Sequence, residues 1–95
     1  MILVSLLAAC AFAGDFEDGL KAYAGSNFKE ALAKFEAGCL ANVVKSCVKV
    51  GAIYQLGKTA LPNPSKALEY YNKACEVGEV EGCSAAGGLY LNTEP

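Results

Sequence analysis

Four of the five cysteines recur with a fixed period, and this period limits the possible fold more than any other feature. Cys39 and Cys47 lie eight positions apart, and Cys75 and Cys83 repeat that spacing 36 residues further on. A period of this size is typical of arrays in which each repeat is one supersecondary unit. The same shift aligns apolar, aromatic and glycine positions: Ala31 with Ala67, Leu32 with Leu68, Phe35 with Tyr71, Gly51 with Gly87 and Tyr54 with Tyr90.

Each repeat has the pattern of a helix pair. Phe28, Ala31, Leu32 and Phe35 fall on one helical face, and no segment shows the sustained alternation of a strand. We predict helices at 15–25, 27–39, 43–57, 64–77 and 79–91. The fold class is therefore all-α, an α/α solenoid of helix pairs over residues 14–95 whose last repeat is incomplete.

The four repeated cysteines allow three disulfide connectivities. In an antiparallel helix pair joined by a short loop, Cys39 and Cys47 face each other beside the turn, within the ~7 Å that bridging requires. Equivalent points of successive repeats would be about 10 Å apart, as packed helices are. We therefore predict the bridges Cys39–Cys47 and Cys75–Cys83, each stapling one helix pair.

The first thirteen residues carry no charge and end in Ala11-Phe12-Ala13. An apolar stretch before a small-x-small site predicts a signal peptide over 1–13 and a secreted or periplasmic protein. The stretch is too short to span a bilayer. Cys10 lies in a lipobox-like pattern, so lipidation at Cys10 is the alternative.

Composition excludes several kinds of chemistry. The chain has no histidine, which removes the usual general base and the commonest zinc ligand. It has no arginine and a net charge of -2, so nucleic acid is not an expected partner. We predict no cofactor and no metal.

Two segments of the repeat, CVKVGAIYQLG at 47–57 and PSKALEYYNKACEVG at 64–78, resemble a Sel1-like repeat, a variant of the tetratricopeptide repeat. The paired cysteines and the export signal resemble the Helicobacter and Campylobacter cysteine-rich proteins. This resemblance implies penicillin binding and weak β-lactamase (hydrolase) activity, with a β-lactam or peptidoglycan-like small molecule as ligand. Repeat architecture supports the alternative, a non-catalytic adaptor that binds peptide or protein on its concave face.

Catalysis on β-lactams by a serine enzyme needs a serine three positions before a lysine on one helix face. Ser46 and Lys49 match this spacing and are the candidate catalytic residues, although two-residue patterns are common. The structural alternative is a solvated helix start at Ser46 and an exposed charge at Lys49.

Overall fold

A computed structural model describes residues 14–93, and these residues form five α-helices and no strand. α1 covers residues 14–24, and the others are α2 (Phe28–Leu40), α3 (Val44–Leu56), α4 (Pro64–Glu76) and α5 (Val80–Thr93). The predicted all-α class is confirmed, and each predicted helix end lies within two residues of the observed one. The predicted signal peptide and Cys10 lie outside the described residues, and the domain bounds stay a prediction.

Three of the turns between helices depend on a residue in the left-handed backbone region. Ser26, Asn42 and Gly78 have φ of 64°, 69° and 92°, and each follows a helix end. After each of them the next amide bonds back to a carbonyl in the last helical turn, for example Glu79 N to Ala74 O at 3.0 Å. This arrangement satisfies carbonyls that the helix end leaves unpaired. It also reverses the chain within about three residues.

The longer turn between α3 and α4 uses different residues. Gly57 ends α3 with φ of 69°, and Pro62 lies against it, so that a Cβ at Gly57 would lie 2.8 Å from the proline ring. Asn63 then caps α4 by accepting a hydrogen bond from Lys66 N at 3.1 Å. Pro64 follows at the first helical position, where its missing N–H has no bond to lose.

Successive helices pack on one another, α2 on α3, α3 on α4 and α4 on α5. A first core cluster joins α1, α2 and α3, and a second joins α4 and α5: Ala22, Ala31, Phe35, Val50 and Ile53 in the first, Ala67, Tyr71, Ala86 and Leu89 in the second. The wider solenoid arrangement stays a prediction.

The two helices of each pair approach closely beside the cysteines, where one of the two facing positions is a glycine. In the first pair, a methyl group at Gly38 would overlap Ser46 Oγ. In the second pair the roles are exchanged, because a Cβ on Gly82 would lie 2.7 Å from the Ala74 methyl. Gly38 and Ala74 are 36 residues apart, as are Ser46 and Gly82. One glycine per pair therefore permits the close crossing.

Successive helix pairs contact each other through an aromatic side chain that packs against a glycine. A Cβ on Gly19 would lie 2.6 Å from the Phe35 ring, and one on Gly51 would lie 2.5 Å from the Tyr71 ring. Tyr71 also donates its hydroxyl proton to Gln55 Oε1 at 2.6 Å. The aromatic residue thus occupies the space that the missing side chain leaves, and α4 rests directly on the α3 backbone.

Because the crossing tolerates one side chain, Gly38→Ala should destabilise the chain by about 1–3 kcal/mol through overpacking. The double variant Gly38→Ala/Ser46→Gly reproduces the second pair's arrangement and should recover most of that loss. Urea denaturation followed by circular dichroism measures both. Gly88→Ala is the control, since no atom lies within 4 Å of a Cβ there. Equal stability of the single and double variants would contradict the reciprocal packing.

Candidate functional site

The structure places the four repeated cysteines in two bonded pairs. Cys39 and Cys47 have Cα atoms 4.7 Å apart, and those of Cys75 and Cys83 are 4.6 Å apart. Both distances fall within the range of disulfide geometry. Their surroundings differ, because Cys39 and Cys47 are at most 3% exposed, whereas Cys83 is exposed. These bonds link paired helices, and their formation in the cell stays a prediction.

Ser46 and Lys49 are not arranged as a nucleophile and its base. Ser46 is 0% exposed, and its Oγ has no hydrogen-bond partner among the described residues. Lys49 is half-buried and makes no hydrogen bond to Ser46. The solvated helix start expected at Ser46 is therefore wrong, because this side chain fills the space above Gly38. A substrate carbonyl has no access to the hydroxyl.

A different group of residues brings together side chains of α2, α3 and α4. We call it the α2–α4 face, and it consists of Glu36, Tyr54, Lys66, Glu69, Tyr70 and Lys73. Tyr54 and Tyr70 stack with ring centroids 6.0 Å apart. Tyr54 donates a hydrogen bond to Glu36 Oε2 at 3.2 Å, and Lys66 Nζ lies 5.4 Å from the centre of the Tyr54 ring. The face thus combines stacked rings with charges of both signs.

Burial and the nearby carboxylates act together on the two phenols. Burial is the largest cause that raises the pKa of Tyr54, followed by the negative charge of Glu36. The pKa of Tyr70 is raised by burial first, and then by the charges of Glu36 and Glu69. Each cause disfavours the phenolate. Both hydroxyls therefore stay protonated and able to donate well above neutral pH.

The centre of the face is an open groove of about 380 Å³ lined by Lys66, Glu69, Tyr70 and Lys73. Its residues come from one side of α4, since positions 66, 70 and 73 are spaced by four and three residues. A shallow groove with exposed ammonium groups around a half-buried tyrosine suits contact with a protein surface better than enclosure of a small molecule.

Among residues 14–93, no helix is both long enough and apolar enough to cross a bilayer. Within the same residues, no three side chains of His, Cys, Asp or Glu gather as a metal site would require.

The fold and face thus define a small helical protein of disulfide-linked helix pairs with an open polar and aromatic surface. It is similar to the Drosophila melanogaster protein "Cytochrome c oxidase assembly factor 7 homolog", with 32% identity over 88 residues. It also matches "Cytochrome c oxidase assembly factor 7A" of Xenopus laevis, with 35% identity over 57 residues, and the Xenopus tropicalis factor 7, with 33% over 57.

The matched regions cover 88% of this chain for the Drosophila protein and 59% for each Xenopus protein. They span 32% of the Drosophila relative and 25% of each Xenopus relative, so the chain covers about a third of the relatives' length or less. No protein-family model matches the chain.

These relatives correct several predictions made from the sequence. The identification with Sel1-like cysteine-rich proteins of Helicobacter and Campylobacter is wrong, because the matching proteins are named as cytochrome c oxidase assembly factors. The β-lactamase and penicillin-binding function is contradicted on the same ground, together with its β-lactam or peptidoglycan-like ligand. The alternative, a non-catalytic adaptor that binds peptide or protein on its concave face, does not match either. The secreted or periplasmic location is contradicted as well, because the relatives are named as assembly factors of cytochrome c oxidase.

Sequence reasoning missed most of the α2–α4 face. In the repeat pattern, Tyr54 stands out only by its alignment with Tyr90, and the pattern gives Tyr70 no role. The available signal was the spacing of Lys66, Tyr70 and Lys73 along one side of a helix. The contribution of Glu36 could not be found in this way. Glu36 lies on α2, and it comes near the residues of α4 only because both helices pack on α3.

The ionisation of the tyrosines provides a test of the face. Glu36→Gln should lower the pKa of Tyr54 and Tyr70, and it should leave that of Tyr71 unchanged, because burial alone raises the Tyr71 value. Tyrosine ring-carbon chemical shifts recorded against pH measure each phenol separately. Since the unfolded chain ionises its phenols first, the folded state should lose stability as pH rises above about 10. An equal shift at all three tyrosines would contradict the arrangement.

The difference in burial predicts an order of reduction for the two disulfides. Limited reductant should open Cys75–Cys83 before Cys39–Cys47, because access to sulfur limits thiol–disulfide exchange. Trapping the free thiols by alkylation, then peptide mass mapping, identifies which pair opened. Full reduction should lower stability by roughly 2–3 kcal/mol for each small ring. A mapped peptide that links Cys39 to Cys75 would contradict the pairing.

Proposed function

We propose that this chain acts in the assembly of cytochrome c oxidase, through contact of its α2–α4 face with a protein that takes part in that assembly. The observation that carries the proposal is the 32% identity over 88 residues with a Drosophila protein named as such an assembly factor. The two Xenopus relatives are also named as cytochrome c oxidase assembly factors, 7A and 7.

The composition of the α2–α4 face supports a protein as the partner. Tyrosine is enriched at protein interfaces because it buries a large ring while its hydroxyl still bonds at the edge. Lys66 and Lys73 lie on either side of Tyr70 and are exposed. A complementary surface would place an apolar side chain on the tyrosine and acidic side chains opposite the two lysines.

Rigidity is the second physical support. The stacked rings of Tyr54 and Tyr70 and the hydrogen bond from Tyr54 to Glu36 hold the face in place before any partner arrives. A surface that is already ordered loses less conformational entropy on binding. The disulfide of the first pair lies beneath the same region, since Tyr70 packs against the cluster of Cys39, Cys47 and Ala74.

The experiment is a segment exchange in Drosophila cells that lack the relative. This chain replaces the 88 matching residues of the relative, and assembled cytochrome c oxidase is measured on native gels and by its oxidase activity. The exchange should restore the assembled enzyme. A chimaera that is stably expressed yet leaves the oxidase unassembled would overturn the proposed function.

A pair of matched variants tests the role of the face. Lys66→Glu reverses a charge in the first turn of α4, on the face, and Lys45→Glu makes the same change in the first turn of α3, away from it. Acidic residues are tolerated in the first turn of a helix, so both variants should fold. We expect Lys66→Glu to reduce assembled oxidase at least roughly threefold, as loss of a face contact would. Equal effects of the two variants would exclude the face as the contact.

A further inference from the structure

A small pocket lies between the two helix pairs, beside the first disulfide. Its volume is about 30 Å³, and its lining residues are Cys39, Asn42, Val44, Cys47, Lys73 and Val77. The first four belong to α2, α3 and the turn between them, and the last two belong to the end of α4 and its C-cap. The walls of the pocket are therefore supplied by both helix pairs, and each wall is a part of the chain that the structure describes.

The interior of the pocket is apolar. Cys39 and Cys47 are bonded to each other and almost fully buried, and Val44 and Val77 complete the apolar lining. A buried water usually makes about three hydrogen bonds, which walls of this kind do not provide. A volume of about 30 Å³ is the share of one water molecule in the liquid, and a methyl group is of similar size. The interior therefore suits the end of a short aliphatic chain and is too small for an aromatic ring.

The two polar residues that line the pocket are exposed and have no partner. Neither the Asn42 amide nor the Lys73 ammonium group has a hydrogen-bond or ion-pair partner among residues 14–93. Both groups are donors that a carboxylate can accept from, and the ammonium group also supplies the opposite charge. Glu69 and Glu76 lie near Lys73 on α4, but neither of them lines the pocket. The mouth of the pocket thus combines two free donors with an apolar interior.

The rim of the pocket favours a branched chain. Val77 lines the pocket and is 66% exposed, so much of this residue faces water. An unbranched chain would fill the interior and leave that surface exposed. A branched chain can place one methyl group inside the pocket and the other on Val77, which removes further apolar surface from water.

We propose that this pocket binds a short, branched aliphatic carboxylate, with the carboxylate on Lys73 and Asn42 and a methyl group against the Cys39–Cys47 disulfide. Two sources carry this group: a free short-chain fatty acid, and the last residue of a polypeptide that ends in valine or leucine. The site shares Lys73 with the α2–α4 face, but it does not depend on the function proposed for that face.

Isovalerate is the first probe, because it consists of the side chain, the Cα and the carboxylate of valine. The purified full chain, labelled with ¹⁵N and ¹³C, is titrated at constant ionic strength to about 50 mM isovalerate, a range that detects dissociation constants of a few millimolar. Binding in that range is expected, since the site offers one exposed ion pair and a small buried apolar area. The methyl groups of Val44 and Val77 should shift and should show nuclear Overhauser effects to the methyl groups of isovalerate.

Three further ligands separate the parts of the group and its two sources. Isovaleramide has the same chain without the charge and should bind roughly threefold more weakly. Butyrate lacks one methyl group and should bind roughly fourfold more weakly. The peptide N-acetyl-alanyl-alanyl-valine presents the same group at the end of a polypeptide. Tighter binding of this peptide than of isovalerate would assign the site to a chain end, and equal or weaker binding would assign it to a free acid.

Two pairs of matched variants test the residues of the site. Lys73→Gln should weaken the binding of isovalerate roughly threefold and leave that of isovaleramide unchanged. Lys21→Gln alters an exposed lysine of α1 that does not line the pocket and should change neither. Val44→Ile adds a methyl group to the pocket wall and should weaken isovalerate at least roughly threefold, whereas Val43→Ile makes the same change outside the lining. Melting temperatures establish that each variant is folded.

Several results would overturn the proposal. They are the absence of methyl shifts at Val44 and Val77 at the highest isovalerate concentration, equal binding of isovalerate and isovaleramide, and equal effects of Lys73→Gln and Lys21→Gln. All these measurements use the isolated chain. Their outcome is therefore separate from whether the segment exchange restores cytochrome c oxidase.

Discussion

The close crossing of paired helices beside the cysteines is the constraint on which the rest of the structure depends. Cys39 and Cys47 have Cα atoms 4.7 Å apart, and beside them α2 and α3 approach so closely that a side chain at Gly38 would overlap Ser46. α3 packs on α2 at this contact and on α4 along its other side. The tyrosines and lysines of the α2–α4 face therefore depend for their positions on the contact between α2 and α3 beside the first disulfide.

Much of the fold could be predicted from the sequence, because helices and their pairing require a periodic pattern of apolar residues. The 36-residue repeat and the apolar spacing of residues such as Phe35 and Tyr71 were sufficient to predict five helices. The burial of Ser46 could not be predicted in the same way. A serine early in a helix resembles a solvated position unless the facing residue is known to be glycine, and Gly38 faces it only in three dimensions.

The function could not be predicted from the same pattern. Paired cysteines and an apolar stripe describe how helices pack, and proteins with unrelated activities meet the same packing demands. The serine–lysine spacing at Ser46 and Lys49 matched a catalytic motif by composition alone, and burial removes the hydroxyl from any substrate. The names of the relatives indicate a role in assembly, which the packing pattern does not encode. Such a role depends on exposed surfaces, such as that of Tyr70 and Lys66, more than on reactive side chains.

The exchange of roles between Gly38/Ser46 and Ala74/Gly82 has a consequence for how such chains change over generations. Two side chains overpack the crossing, so a lineage that moves the side chain from one helix to the other avoids that cost by passing through a form with glycine on both. That intermediate has a small void rather than a clash, and a disulfide beside the void still joins the two helices. The two positions should therefore covary among homologous chains, and the disulfide beside them widens the set of sequences that selection can reach.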